Sequence, residues 1–151
     1  MRKQLSKSEI KEIMDELPKL GKKDKVEIDK ELFEILILND EQAFFRHEEH
    51  WVPLLKYEQD KKLLKEVVVD EGAVKFVANG ADIMRPGIET AQEGIKKGEL
   101  VRIVDVRNKV GLAIGITLFN RTELMAMASG KVITSVHHVG DKLWKHVYQD
   151  E

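Results

Sequence analysis

Apolar residues near the N-terminus recur at helical spacing after Ser6 and Glu9, a pair whose separation matches a capping box. The spacing predicts a helix from about Lys7 to Leu17, which Pro18 is expected to end. The apolar positions that define this stripe are Ile10, Ile13, Met14 and Leu17.

The pattern then changes from helical spacing to alternation. Val26 and Ile28 alternate with charged residues, and residues 32–38 form a mostly apolar run that is typical of a buried strand. Asn39-Asp40 is a suitable turn, so residues 43–45 are expected to return as the next strand. This part of the chain therefore predicts a small antiparallel sheet.

From Leu64 the chain becomes richer in valine and glycine, as in small β domains. Residues 67–69 predict a strand, Asp70 is a suitable N-cap, and residues 71–78 predict a short helix that ends at Asn79-Gly80. Further strands are predicted at residues 81–84, 100–105, 110–118 and 131–139, with a turn at residues 85–87 and a short helix at about residues 122–128.

These elements predict an α+β protein with two domains. Residues 1–65 are expected to form an N-terminal helix with a small antiparallel sheet, and residues 66–151 a mixed β domain. The polar segment around residues 57–62 joins the two without a clear linker.

Composition limits the classes of protein that remain. Of the 151 residues, 42% are hydrophobic, which is enough for a folded core. The absence of cysteine excludes disulfides and thiolate zinc sites, and no segment has the length of apolar sequence that a signal peptide or a membrane span needs. A cytoplasmic protein is therefore expected.

The net charge of −2 argues against a protein that coats nucleic acid by bulk electrostatics, so any RNA site must be local.

The second half resembles a known family. Residues 67–88 are similar to the opening of a PUA domain, the module named after pseudouridine synthases and archaeosine transglycosylases, and residues 98–105, 111–116 and 130–132 resemble its later strands. This resemblance implies a PUA-type mixed β pseudobarrel that binds RNA.

The sequence His137-His138-Val139-Gly140-Asp141-Lys142-Leu143-Trp144 narrows the resemblance to the malignant-T-cell-amplified-sequence family of translation factors. Those proteins, with archaeal relatives of the same layout, pair a pre-PUA domain with a PUA domain. Membership implies binding of structured RNA, either tRNA or ribosomal RNA, during initiation or recycling. The implied partners are the small ribosomal subunit or another translation factor.

The resemblance places the RNA site beside the predicted helix and the turn that follows it. A glycine at position 80 can adopt positive φ and expose backbone groups, while Arg85 and Lys75 can supply positive charge. Asp82 fits poorly beside phosphate unless it accepts a hydrogen bond from a base amine or caps backbone groups. No aromatic residue is expected to be interleaved, which favours recognition by shape over stacking. The residues expected to bind RNA are Lys75, Asn79, Gly80, Ala81, Asp82, Met84, Arg85, Pro86 and Gly87.

Two alternatives to a translation factor stay open. The chain could be the RNA-targeting subunit of an RNA-modifying enzyme, or a protein-interaction adaptor that exposes Phe44 and Trp51. Outside the adaptor hypothesis, these two aromatic residues are expected in the core of the N-terminal domain. From residue chemistry alone, Gly80, Pro86 and Gly87 could also serve only to shape turns.

Candidate chemistry elsewhere in the chain is sparse. The histidines of His47-Glu48-Glu49-His50 are three residues apart, whereas the metalloprotease motif needs them four apart, so a polar strand end or loop is the expected structure. No nucleophile or phosphate-loop motif occurs. We therefore expect a protein that is not an enzyme and that uses no cofactor or metal.

Overall fold

The structure is a computed structural model that describes residues 1–148. The chain divides into two compact units, of which the N-terminal unit is Met1–Tyr57 and the C-terminal unit begins at Glu58. The division lies within a helix, α2, that spans Leu55–Lys61. The sequence had indicated only a polar segment there.

The N-terminal unit is built on a five-stranded antiparallel sheet with the strands in chain order. A helix, α1 (Lys7–Ile13), follows the first strand and continues as a 3-10 turn over Met14–Glu16, with Ser6 and Glu9 forming the predicted capping box. The strands are β1 (Arg2–Gln4), β2 (Val26–Asp29), β3 (Ile35–Leu38), β4 (Glu41–His47) and β5 (His50–Pro53).

Phe44 and Trp51 belong to the buried part of the N-terminal unit. They are 1% and 5% exposed, and the ring centroid of Phe44 lies 5.4 Å from that of Tyr57. The exposed aromatic surface on which the adaptor hypothesis depended is therefore absent at these two residues, whose predicted place in the core is confirmed.

The C-terminal unit contains a six-stranded mixed sheet in the order β7-β11-β10-β9-β6-β8. The neighbours β6 and β9 are parallel, and every other pair is antiparallel. The strands are β6 (Lys65–Val69), β7 (Ile83–Met84), β8 (Ile88–Ala91), β9 (Leu100–Asp105), β10 (Gly111–Thr117) and β11 (Lys131–His138), and the helices are α3 (Glu71–Ala78), α4 (Arg121–Ala126) and α5 (Lys142–Tyr148). The strand predicted at residues 81–84 is shorter than expected, because only its second half pairs with β11.

The position of α3 depends on its two ends. At the start, the side chain of Asp70 accepts a hydrogen bond from the backbone N–H of Ala73 at 2.9 Å, as the sequence predicts for an N-cap. At the end, Gly80 reverses the chain with φ of +97°, and a Cβ there would lie 2.7 Å from Nε2 of His138. Only glycine satisfies both the backbone angle and this close approach.

The start of α3 also lies against the turn that precedes β8. A Cβ added to Gly87 would lie 2.8 Å from the Cβ of Ala73, and the backbone N–H of Asp70 donates to the carbonyl of Gly87 at 2.8 Å. The absence of a side chain at position 87 therefore lets the turn and α3 approach each other closely. Val77 packs into the core from the buried face of α3.

Asp141 anchors the start of α5. Its carboxylate accepts hydrogen bonds from the backbone N–H groups of Trp144 and His138 at 2.8 and 2.9 Å, and lies 2.9 Å from Nδ1 of His137. His137 is fully buried, whereas its neighbour on β11 is only partly buried. Adjacent side chains of a strand point to opposite faces, which accounts for the different burial of the two histidines.

Candidate functional site

An open groove of about 640 Å³ runs along one side of α3, and we call it the α3–β7 groove. Five residues that the sequence singled out line it: Ala81, Asp82, Met84, Pro86 and Gly87. α3 and its cap contribute Asp70, Gly72, Ala73, Phe76 and Val77, and the lining is completed by Ile83 and Lys131.

The groove presents apolar side chains to solvent. Phe76 is 63% exposed and Met84 is 49% exposed, which is unusual for residues of this size. The expectation that no aromatic residue would be interleaved with the site is therefore wrong. A signal was available in the sequence, because Phe76 follows Ala73 by three residues and so lies on the same side of the helix.

Asp82 is the most constrained polar residue of the groove. Its Oδ1 accepts a hydrogen bond from the backbone N–H of Ser135 at 2.8 Å, and its Oδ2 lies 3.4 Å from Nζ of Lys131. This arrangement fixes the carboxylate in place and partly neutralises Lys131. Sequence reasoning missed Lys131, because this residue reaches the site from β11, far along the chain from Asp82.

The groove is not a basic site. The charged side chains of the lining are two carboxylates, Asp70 and Asp82, and one ammonium group, that of Lys131, so the lining residues carry a formal charge of −1. A phosphate group inside the groove would meet net repulsion. The chemistry instead suits a flat, uncharged group that can stack on Phe76 and donate hydrogen bonds.

Comparison with protein families identifies the C-terminal unit. The model of the PUA domain matches residues 65–139, which span β6 to β11. An uncharacterized protein of Methanocaldococcus jannaschii is 40% identical over 153 residues, covering 93% of both chains. Translation machinery-associated protein 20 of Saccharomyces cerevisiae is 33% identical, covering 89% of this chain and 78% of that protein. Malignant T-cell-amplified sequence 1 of Danio rerio is 31% identical, covering 88% and 82%.

The chain belongs to this PUA-domain family. The resemblance that the sequence suggested, including the relation to the malignant-T-cell-amplified-sequence proteins, is thereby confirmed.

Solved structures confirm the predicted α+β fold with a PUA domain. A hypothetical protein of Pyrococcus horikoshii is 35% identical with a TM-score of 0.85, covering 97% of this chain and 99% of that chain. A PUA domain from Aeropyrum pernix is 21% identical with a TM-score of 0.87, covering 97% and 90%. The archaeal box H/ACA sRNP Nop10-Cbf5 complex is a more distant match, at 26% identity and a TM-score of 0.52, covering 64% and 30%.

Four residues that the sequence singled out lie outside the lining of the groove in this PUA domain. Lys75 and Asn79 are exposed on α3 and its C-cap, and Gly80 is covered by the ring of His138. The guanidinium of Arg85 donates to the backbone carbonyls of Ile88 and Met125, both at 3.2 Å. These contacts tie the turn at residues 85–87 to α4.

The segment at residues 47–50 is a turn in which one histidine has a carboxylate partner. His47-Glu48-Glu49-His50 forms the turn between β4 and β5, as expected, and Nδ1 of His50 lies 2.8 Å from Oε1 of Glu16. Within residues 1–148, no group of three such side chains could hold a metal ion. Over the same residues, no helix has the length and apolar character to cross a membrane.

Proposed function

We propose that this protein binds RNA during translation and that the α3–β7 groove holds an unpaired segment of that RNA. Two kinds of observation support the proposal. The family includes proteins whose names associate them with the translation machinery. The groove also exposes Phe76, a surface on which a base can stack.

The balance of charges favours bases over backbone as the occupants. The net negative lining repels phosphate, whereas a splayed-out base offers an apolar face to Phe76 and Met84. Phosphates would then remain outside, where Lys75 on the exposed side of α3 is available to contact them. Because a base in a duplex is already stacked, the ligand is an unpaired end or loop of a structured RNA such as tRNA or ribosomal RNA.

The proposal extends to the rest of the chain. Residues 1–65 would act as the pre-PUA domain and residues 66–151 as the PUA domain, with the small ribosomal subunit as the assembly on which the protein works. This role would place the protein in the cytoplasm. The use of the groove by an RNA-modifying complex is a second candidate, supported by the partial likeness to the Nop10-Cbf5 complex, and co-purification with a catalytic subunit would favour it.

Replacing Phe76 with alanine tests the site. Stacking of one base on an aromatic side chain is worth about 1–3 kcal/mol, so the affinity for a single-stranded RNA should fall by about 5- to 150-fold. The exposure of Phe76 means that the fold should survive the change. Affinity is measured by fluorescence anisotropy with a labelled single strand and with a duplex of equal length.

Val110→Ala is the matched control, since Val110 is also an exposed apolar residue of the C-terminal unit but lies on the β9–β10 connection. It should bind the single strand as the unmodified protein does. If the unmodified protein and Phe76→Ala bind the single strand with equal affinity, the groove is not the RNA site. A preference for the duplex would contradict the proposal that the ligand is unpaired.

A further inference from the structure

We infer that the groove selects a base that carries an exocyclic amino group, and that Asp82 is the residue that makes the selection. This inference rests on the proposed function, since it concerns which nucleotide occupies the groove. It goes further because it assigns a chemical preference to one named side chain.

The position of the Asp82 carboxylate is fixed from the side of the sheet. Ser135 donates its backbone N–H to Oδ1 at 2.8 Å, which orients the whole group. Oδ2 lies 3.4 Å from Nζ of Lys131, at the long end of hydrogen-bond distance, and so keeps capacity to accept a further donor. An ionised carboxylate accepts hydrogen bonds and donates none, so any group that it holds must be a donor.

The other carboxylate of the groove is not equivalent. Oδ1 of Asp70 accepts the N–H of Ala73 at 2.9 Å and caps α3, so this side chain serves the helix. Asp82 belongs to no helix cap and lies on the wall that faces α3. It is therefore the residue that can read the edge of a base stacked on Phe76.

The nucleobases differ in what they offer to such an acceptor. Cytosine presents the N4 amino group where uracil presents the O4 carbonyl, and adenine and guanine also carry amino groups. The O4 carbonyl of uracil next to Asp82 would meet an oxygen of like partial charge. The one donor on that edge of uracil, N3–H, lies between two carbonyl oxygens that repel the carboxylate, whereas the N4 amino group of cytosine offers its donors at the end of the edge, away from O2. Stacking on Phe76 does not distinguish bases of similar size, so the preference arises at Asp82.

The test compares oligocytidylate with oligouridylate of equal length, two probes that share charge and backbone. A hydrogen bond to a charged group supports an expected preference for oligocytidylate of about tenfold in the unmodified protein. In Asp82→Asn the preference should vanish or reverse, because the amide can donate to O4 of uracil while its oxygen still accepts from Ser135.

Asp70→Asn is the matched control, since it removes one negative charge from the same groove and asparagine caps helices as well as aspartate does. It should change both affinities by the same factor and keep their ratio. Equal binding of the two probes by the unmodified protein overturns the inference while leaving RNA binding intact, and so does a preference that survives in Asp82→Asn.

If neither probe binds, the proposed function fails together with this inference. If both bind with an affinity that Phe76→Ala does not change, RNA occupies another surface and the reading of bases by Asp82 is also wrong. The comparison in the unmodified protein needs no variant, so the inference stays testable even if Asp82→Asn does not fold.

Discussion

Two places in the C-terminal unit bring charged and apolar side chains together, and they do so in opposite ways. At the first, Arg102 and Glu58 are 4% and 0% exposed. Arg102 donates to the carboxylates of Glu58 and Glu66 and to the carbonyl of Leu64, and we call this set the Arg102 cluster. At the second, the α3–β7 groove, the charged groups are half exposed and the apolar ones face solvent.

The two places differ in whether their polar atoms already have all their partners inside the fold. In the Arg102 cluster Glu58 also accepts hydrogen bonds from the backbone N–H groups of Leu63 and Leu64, so its oxygens have several partners inside the fold. Burial nevertheless raises the pKa of Glu58, against the effect of these bonds and of Arg102. The groove instead leaves an acceptor and an aromatic face for a ligand. A polar cluster whose bonds are all internal has nothing left to bind with.

The largest expected effect comes from Arg102→Met. This change leaves the Glu58 carboxylate buried beside an apolar side chain, and removing one partner of a buried pair costs about 3–5 kcal/mol. The free energy of unfolding measured by urea denaturation should fall by that amount. The double variant Glu58→Gln/Arg102→Met should recover much of the loss.

Arg107→Met is the control, because Arg107 pairs with Glu71 on the surface, where ion pairs contribute little. If Arg102→Met unfolds at the same urea concentration as the control, the Arg102 cluster is not the structural element described above.

A smaller effect is expected at Asp141, another carboxylate whose bonds are internal. Burial works to raise its pKa, but the hydrogen bonds from His137, Trp144 and His138 outweigh it and lower the pKa from 3.8 to about 2. A shift of this size corresponds to about 2 kcal/mol of stability. Asp141→Ala should lose about that much at neutral pH.

The dependence on pH follows from the direction of the shift. Because the folded state lowers the pKa, the stabilisation is present above about 3.8 and is lost as the pH falls towards about 2. The difference in unfolding free energy between the unmodified protein and Asp141→Ala should therefore shrink over that range. A difference that stays constant down to pH 2 would show that the ionised carboxylate is not the cause.

The smallest effect distinguishes two roles for Arg85, which adjoins the groove but is bonded like a member of the Arg102 cluster. Arg85→Gln should lower the free energy of unfolding by about 1 kcal/mol, because two hydrogen bonds to carbonyls are lost. The dependence of RNA affinity on salt should not change. A salt slope that falls by about 0.7 would instead make Arg85 a phosphate contact.

Local signals predicted much of the C-terminal fold. The β-branched run at residues 67–69 and the cap at Asp70 predicted β6 and α3, and the structure confirms both. These features depend on neighbours in sequence, so spacing is enough to find them. Short strands such as β1, β5 and β8 were not predicted, because a short strand is defined by its partner as much as by its own residues.

The candidate site was predicted less completely, and the reason is distance along the chain. Asp82 is oriented by Ser135 and paired with Lys131, and neither contact is visible from the sequence around it. The exposure of Phe76 likewise depends on which side of α3 the sheet covers. The resemblance located the segment around residues 79–87. Only the fold shows which of its residues line the groove and which bond elsewhere in the protein.

The pairing of β7 with β11 also determines when the groove can form during synthesis of the chain. Met84 pairs with Lys131, and Ile83 with Ile133, so one wall of the groove closes only after β11 has been synthesised. During synthesis α3 can form early, because its cap and its helical contacts are local. A nascent chain on the ribosome therefore lacks a complete α3–β7 groove until β11 has emerged, although α3 itself is already formed.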